Sequence, residues 1–507
     1  IYYVNDSPHI GHAYTTIAAD ALARFMRLAV YDVHFLPGTD EHGQKVEKSA
    51  ELAGKDPQAF TDEVSQRFRL LAEAMNFSND DFIRTTERRH IESCQELWRR
   101  LKERGQIYLG SYSGWYAVRD EAFYQEDELE TRPDGKKIAT ASGAEVAWVE
   151  EPSYFFQLSQ WQEPLLKFYA EHPDFIGPDS RRNEVVSFVK SGLKDLSVSR
   201  TTFKWGVPVP DDADHIMYVW LDALTNYITA VGFPETGSES YLKFWPADLH
   251  MVGKDILRFH AVYWPAFLMA AGLEPPKRVF AHGWWTNEGQ KISKSLGNVI
   301  EPHALIQRYG LDPVRYFLLR EVPFGNDGDF SHGAMVHRMN GDLANALGNL
   351  AQRVLSMINK NCDAKVPHHG ALTPADEKLL SAAHGLVVQC RPLMTGQQFN
   401  KALEAIWLVV GDGNRYMDEQ APWGLKKTDP ARMATVLYVL AETIRHLALI
   451  VQPFMPQSAA KLLDQLAVGE GDRDFAAFGP EHALEAGSDL PKPEGVFPRF
   501  VEETAAQ

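Results

Sequence analysis

Residues 1 to about 36 run strand, loop, helix: "IYYV", then "NDSPHIGH", then a stretch whose apolar positions Ile17, Ala21, Phe25 and Leu28 recur every three to four residues. This is the first half of a βαβ unit, and it constrains the fold more than any other segment. Parallel strands need a crossover between them, and open sheets built that way bind ligands at the carboxyl ends of their strands. "VHFLPGTDEHG" is expected to supply the next strand, Val33 to Leu36, broken by Pro37 and Gly38, so that Thr39, Asp40 and His42 reach such an end. From about Gly110 to Asp214 the pattern changes to short aromatic-rich runs with turns, such as "GSYSGWYAVRDEAFY" and "TRPDGKK". That change predicts an inserted subdomain rather than more of the sheet. "LHMVGKDILRFH" and "RVFAHGWW" resume the sheet pattern, and from about Gly333 long amphipathic stretches such as "VLYVLAETIRHLALIV" predict helices with no short repeat.

The architecture expected is an α/β Rossmann-like nucleotide-binding domain split by an insertion and followed by an all-α domain. Residues 1–109 and 215–285 form the two halves of the sheet domain and 110–214 the insertion. A lysine loop and linking region follow at 286–335, then the helical domain at 336–507. With 507 residues, 45% hydrophobic and 23% charged, the chain can bury the cores of two to four domains. No apolar run is expected to reach the roughly eighteen residues of a membrane span, and a cytoplasmic location is expected. The chain opens inside an apolar segment without an initiator methionine, which implies a short preceding segment. A net charge of −17 excludes diffuse attraction to a polyanion, so any RNA must be held by local patches. Cys94, Cys362 and Cys390 lie far apart with no CxxC pair, which supports neither a disulfide framework nor a cysteine zinc knuckle.

Two constellations carry chemistry. His9 and His12 stand at i, i+3 where the first helix begins, beside the free amides of its first turn, a place that attracts anions. Gly11 between them lets a bulky ligand approach the backbone. In "GQKISKSLGNVI", Lys291 and Lys294 stand three apart in a glycine- and serine-rich segment with no apolar face. That segment reads as a mobile loop whose cations stabilise charge as it shifts to a leaving pyrophosphate.

"HIGH" at His9–His12 and "KISKS" at Lys291–Ser295, about 280 residues apart, resemble the two signatures of class I aminoacyl-tRNA synthetases. "IYYVNDSPHIGHAYTT", "GTDEHGQK", "YVWLDALTNY", "VGKDILRFH" and "NLAQR…APW" resemble, in order and over essentially the whole chain, the methionyl-tRNA synthetase family. The resemblance implies activation of L-methionine by Mg-bound ATP, then transfer to tRNA(Met), with His9, His12, Lys291 and Lys294 as catalytic residues. It implies a methionine site of Ile1, Tyr3, Asp40, Trp220, Ala223, Leu224, Tyr227, Ile256 and His260, with Asp40 on the ammonium. By chemistry, His260 and Tyr227 are expected to hydrogen-bond the thioether sulfur. The ATP site implied comprises His9, Gly11, His12, Gly253, Asp255, His282, Gly283, Lys291, Ser293 and Lys294. The helical domain becomes anticodon-binding, through Asn349, Arg353, Pro422 and Trp423. Lys401, Arg415, Lys426 and Lys427 would supply the local positive patch.

The chain departs from the family in one respect. Many relatives carry a zinc knuckle in the insertion, whereas "YAVRDEAFY" places Ala117 and Asp120 where a CxxC would stand. A metal-free knuckle with no bound zinc is expected. The chain also stops near "VFPRFVEE" without the C-terminal module some relatives use to dimerise, so a monomer with no obligate protein partner and no membrane is expected. A synthetase for leucine, isoleucine or valine would need a larger editing insertion than this one. A free-standing adenylyl or nucleotidyl transferase would have no use for the helical domain, and a retired scaffold would not need all four histidines and lysines.

Overall fold

Tyr2–Tyr3, Gly38–Asp40 and Ile83–Arg84 pair in that order as a parallel sheet, with Tyr3 opposite Asp40 and Thr39 opposite Arg84. The computed structural model describes residues 1–4, 7–293 and 296–502. By compactness these divide into two units, Ile1–Pro8 with His34–His282, and His9–Val33 with Gly283–Gln507.

In the first unit the sheet's inner face is apolar, with Tyr2 stacked on Phe68 at 4.7 Å over Val4, Val46 and Val64. The strand expected at Val33 to Leu36 lies instead at Gly38–Asp40. Gly38 can sit in that ladder because it has no side chain: a Cβ there would lie 2.1 Å from the Ile83 carbonyl. The stretch before it is pinned by Asp80, whose carboxylate accepts from the Phe35 amide at 2.7 Å. A second parallel sheet orders His250–Gly253, Val279–His282 and Ile176–Gly177. The Ile176 strand comes from within the expected insertion, and two residues are too short for any periodicity to announce.

The rest of that region holds a four-stranded antiparallel sheet, Leu196–Ser197, Ala147–Phe156, Ile107–Ala117 and Ala122–Tyr124, a smaller one of Ser199–Arg200, Asp212–Met217 and Pro208–Val209, the hairpin Leu129–Thr131 with Lys137–Ala139, and helices Gln162–Glu171 and Asp179–Lys190. Where short runs were expected, Ile107–Ala117 is a single 11-residue strand paired along its length with Ala147–Phe156. The glycines that suggest turns are spacers for rings: a Cβ at Gly110 would lie 3.2 Å from the Phe155 ring, and one at Gly114 2.1 Å from the Tyr112 hydroxyl.

In the second unit, helix Ile10–Leu28 is fastened by a fully buried ion pair, Asp20 with Arg315 at 2.6 Å. Arg315 also donates to the Pro453 and Phe454 carbonyls. Longer helices follow, among them Asn349–Asn361, Phe399–Gln420 and Pro430–Val451. The last corrects the sequence expectation. By length and composition, with a mean hydropathy of 1.6, it could cross a membrane, but 94% of that window is buried inside the protein, where it is the core helix its neighbours pack around.

Candidate active site

His9 is the N-cap of helix Ile10–Leu28. Its Nδ1 accepts from the Gly11 amide at 3.1 Å, and the His12 Nδ1 accepts from the His9 amide at 3.1 Å. A ring nitrogen that accepts carries no proton, so both imidazoles are neutral with their proton on Nε2. Burial first, then the adjacent His9, pushes His12 well below the usual imidazole range. The rings lie 3.9 Å apart. This pair therefore offers N–H donors beside a helix N-terminus rather than two cations. Gly11 serves His9 as well as any ligand, because a Cβ there would lie 3.0 Å from His9 Cε1.

Lys291 ends a tight hairpin, Trp285–Asn287 with Gln290–Lys291, and is exposed. Asn298 brackets the segment, donating to the Lys291 carbonyl at 3.1 Å and accepting from the Ser293 amide at 2.8 Å. One asparagine thus links the two ends of the segment expected to be a mobile loop. Lys294 lies outside the described residues. Gly283 is required by close packing of main chains, since a Cβ there would lie 2.1 Å from the Asn326 carbonyl.

The other unit holds the residues implied for methionine. Asp40 is 6% exposed, and its Oδ1 has no hydrogen-bond partner among the described residues. Burial, then the Asp222 and Glu121 carboxylates, push its carboxyl well above the usual range. A buried acceptor left unmet costs on the order of 1–3 kcal/mol, which an arriving ammonium would recover as a charged hydrogen bond. Asp222 accepts from His42 Nδ1 at 2.6 Å and His90 Nε2 at 2.7 Å. Burial works to raise Asp222, but the two imidazoles outweigh it and hold the carboxyl well below its ordinary value.

Rings surround this carboxylate cluster. Trp220 stacks on Phe259 at 3.8 Å, and Tyr227 stacks on His250 at 3.8 Å. The Tyr227 hydroxyl lies 2.7 Å from His260 Nε2, and His260 Nδ1 lies 2.9 Å from the Ile256 carbonyl. A carbonyl only accepts, so Nδ1 carries the imidazole proton, and Tyr227 donates to Nε2. Burial lowers His260 to about 4, so it stays neutral near pH 7. In this arrangement neither group keeps a donor for a thioether, which corrects the expectation that both hydrogen-bond the sulfur. They offer it polarizable rings instead. Ala223 and Leu224 are buried, while Ile1, Tyr3 and Ile256 are half-buried. Gly253 stands opposite the buried His282 in the second parallel sheet, and a Cβ on it would lie 2.5 Å from the exposed Asp255 carboxylate.

In the helical region Asn349 opens helix Asn349–Asn361, exposed, with Arg353 one turn on. Arg353 pairs with Asp418 at 3.0 Å and lies 5.5 Å from the centre of the Trp423 ring, which is 50% exposed. Pro422, buried, is the first residue of helix Pro422–Thr428. Lys401, Arg415, Lys426 and Lys427 are exposed.

Several polar residues here were not among those expected for the site. Arg200 is 2% exposed, and its Nε and Nη2 have no hydrogen-bond partner among the described residues. It faces the rings of Phe123 at 4.3 Å and Tyr218 at 4.6 Å. Glu121, Asp222 and His250 are likewise buried. Asp222 and Glu121 stand inside "YVWLDALTNY" and "YAVRDEAFY", a signal that could have found them, whereas Arg200 and His250 show only a polar residue amid apolar ones, which occurs in many places. In the knuckle, Asp120 accepts from the Tyr124 hydroxyl at 2.7 Å and from Ser142. Ala117 has no ligand atom, so this donor set does not fit zinc, which takes four cysteine or histidine ligands in structural sites.

A parallel-sheet unit carrying an antiparallel insertion, histidines capping a helix beside a lysine hairpin, and a helical region presenting Arg353 and Trp423 together describe a class I tRNA synthetase. The family description "tRNA synthetases class I (M)" matches residues 1–146 and 135–355, and "Anticodon binding domain of methionyl tRNA ligase" matches 366–507. The methionine–tRNA ligase of Mesorhizobium japonicum is 59% identical over 506 residues, covering 100% of this chain and 98% of its own. That of Rickettsia bellii is 58% identical over 505 residues, covering 99% and 98%. A solved structure of the Mycobacterium tuberculosis methionyl-tRNA synthetase in complex with methionyl-adenylate is 55% identical, with a TM-score of 0.96 over 98% of each chain. The apo form of that enzyme is 51% identical over 99% of this chain and 98% of its own, with a TM-score of 0.90. The chain belongs to the methionyl-tRNA synthetase family. It carries the family's activity, activation of L-methionine with ATP and charging of tRNA.

Proposed function

We propose that the two steps of this reaction are divided among the residues of the chain as follows. Asp40 takes the methionine ammonium, and Ile1, Tyr3, Trp220, Ala223, Leu224, Tyr227, Ile256 and His260 enclose the side chain, whose sulfur gains about 0.3–1.5 kcal/mol from ring contacts. ATP enters as its Mg2+ complex, with the ribose at Gly253 and Asp255 and the base near His282 and Gly283. His9, Gly11, His12, Lys291, Ser293 and Lys294 receive the phosphates. The methionine carboxylate attacks the α-phosphorus in line, the α–β phosphoanhydride bond breaks, and pyrophosphate leaves. His9 and His12 act as N–H donors and Lys291 and Lys294 as cations toward the charge that develops. A ribose hydroxyl of the tRNA then attacks the adenylate carbonyl, forming the ester and releasing AMP. No protein nucleophile takes part.

Asn349, Arg353, Pro422 and Trp423 receive the CAU anticodon of tRNA(Met), with Trp423 stacking on a splayed base and Asn349 and Arg353 addressing base edges. The boundaries 1–109, 110–214, 215–285, 286–335 and 336–507 are retained as functional segments, although the strand Ile176–Gly177 of the second pairs with the sheet of the third, and strand Ile107–Ala117 crosses the first boundary. The enzyme works as a monomer, since one chain supplies both sets of residues, without zinc, since Ala117 and Asp120 stand in the knuckle, and in the cytoplasm, away from membranes. Stoichiometric zinc in the purified protein, or a dimer by light scattering at micromolar concentration, would contradict this part.

The observation that carries the methionine assignment is Asp40, a buried carboxylate with one oxygen unmet among the described residues, crowded by two more carboxylates and walled by rings. ATP–pyrophosphate exchange with each of the twenty amino acids, without tRNA, tests it. Exchange with methionine alone is expected, and equal exchange with another amino acid would overturn the pocket.

A further inference from the structure

We propose that Glu121, from the insertion, is a positioning residue for methionine, its carboxylate fixing the Tyr3 ring in the wall of the amino-acid site. The inference rests on the reading above, in which Tyr3 and Asp40 border that site.

Glu121 follows the knuckle's Asp120, and the two acids do different things. Asp120 accepts from hydroxyls of its own subdomain, whereas Glu121 leaves it: its Oε1 accepts from the Tyr3 hydroxyl at 2.6 Å and from the Lys45 amide at 3.2 Å. The backbone is arranged for this reach. Glu121 has φ +48, a conformation non-glycine residues seldom adopt, and its carbonyl is held by the Tyr218 hydroxyl at 3.0 Å. Gly43, at φ +111, leaves the space the carboxylate fills, for a Cβ there would lie 2.2 Å from Oε1. Glu121 is 4% exposed. A strained, buried acid reaching 118 positions back along the chain to one tyrosine is poorly explained as packing. A glutamine or leucine would fill that volume without burying a charge.

The consequence is a fixed ring. The Tyr3 hydroxyl is anchored by Glu121, the Lys45 ammonium lies 5.3 Å from the ring centre, and the Tyr3 backbone is opposite Asp40 in the sheet. The charged and titratable groups facing Glu121 are Tyr3 from the first strand, Asp40 from the second and Lys45 from helix Gln44–Leu52. Tyr116 of the long insertion strand, Arg200 of Ser199–Arg200, and Tyr218 face it too. Burial raises Glu121 to about 7, against the lowering by its hydrogen bond with Tyr3. The anionic form is therefore lost as pH falls through about 7, and with it both the strong acceptor for Tyr3 and a negative charge that favours an ammonium next door.

The test is E121Q in the full chain, with ATP–pyrophosphate exchange measured from pH 6 to 9. At pH 8 the KM for methionine is expected to rise about tenfold, the loss of roughly one charged hydrogen bond. The KM for ATP and kcat at saturating methionine stay within about twofold. In the unaltered enzyme the KM for methionine rises as pH falls through about 7, and in E121Q that rise disappears. E121D, which keeps the charge, retains it. Y3F, which removes the hydroxyl that Glu121 holds, raises the KM for methionine at pH 8 even where the Glu121 variants fold poorly, and keeps a rise at low pH because Glu121 still titrates. The melting temperature of E121Q above pH 7 does not drop, because the neutral amide is spared the cost of burying a charge. An E121Q enzyme with an unaltered KM and pH profile, beside a Y3A enzyme with a raised KM for methionine, would overturn the positioning role while the pocket stands. If Y3A also leaves that KM unchanged, the placing of Tyr3 in the pocket falls, and this inference with it.

Discussion

The two regions proposed for recognition, of methionine and of the anticodon, solve opposite problems. Around Asp40 the polar groups are buried and incompletely met: an acceptor without a partner, two neighbouring carboxylates, and an indole nitrogen of Trp220 with no partner among the described residues. Around Trp423 they are exposed and already paired: Arg353 holds Asp418 and lies over the indole ring, half of it in solvent. A small ligand of few atoms needs large energy per contact, which comes from groups kept dry and unsatisfied until it arrives. A large, charged, single-stranded ligand needs area and register, for which a rigid aromatic platform beside an oriented guanidinium suffices. The first design makes each residue indispensable, and the second spreads the affinity.

That contrast breaks most easily at Asp40. Asp40→Asn keeps the shape and removes the charge, and kcat/KM for methionine in the exchange assay is expected to fall by about 10³-fold, since breaking a buried charge pair costs about 3–5 kcal/mol. A loss below tenfold would place the ammonium elsewhere. Lys294→Ala tests whether the lysines act on the transition state: activation should slow about 10²–10³-fold while methionine binding, followed at equilibrium, holds. Equal losses in both would show that Lys294 has been given the wrong role. Trp423→Ala probes the other region. The KM for tRNA should rise five- to about 150-fold, from the 1–3 kcal/mol of a stacked base, with amino-acid exchange untouched. A fall in exchange would mean the regions are not separable. The smallest effect is on stability. Burial lowers His260 from 6.5 to about 4, so between those values the unfolded chain binds a proton the folded one refuses, and stability falls as pH drops from about 6.5 toward 4. Thermal melts of His260→Asn should show a shallower acid limb than the unaltered protein; an identical limb would assign the slope to other groups.

How much was legible differs between the same two regions. Asn349 and Arg353 share a helix face because they are i, i+4, and Pro422 opens the helix carrying Trp423; such relations are local and visible in the residue order. That His9 and His12 come together at the start of a helix was legible for the same reason. Their neutral tautomers were not, because the acceptors' partners are amides whose direction only the folded turn sets. Gly110 and Gly114 suggested turns because glycine permits them, yet their neighbours are rings on their own and the paired strand. The strand at Gly38–Asp40 was misplaced by a few residues because apolar Val33–Leu36 fits a strand pattern that pairing did not choose.

By itself the order of residues determined the βαβ opening, the helical phases and the spacing of the histidine and lysine signatures, all of which depend on neighbours within a few positions. Only the tertiary structure decided the raised pKa of Asp40, the proton on His260, and the partnership of Glu121 with Tyr3 or of Asp222 with His42, 118 and 180 positions apart. Desolvation and pairing are properties of a place in space, and groups so far apart along the chain share a place only after it has folded.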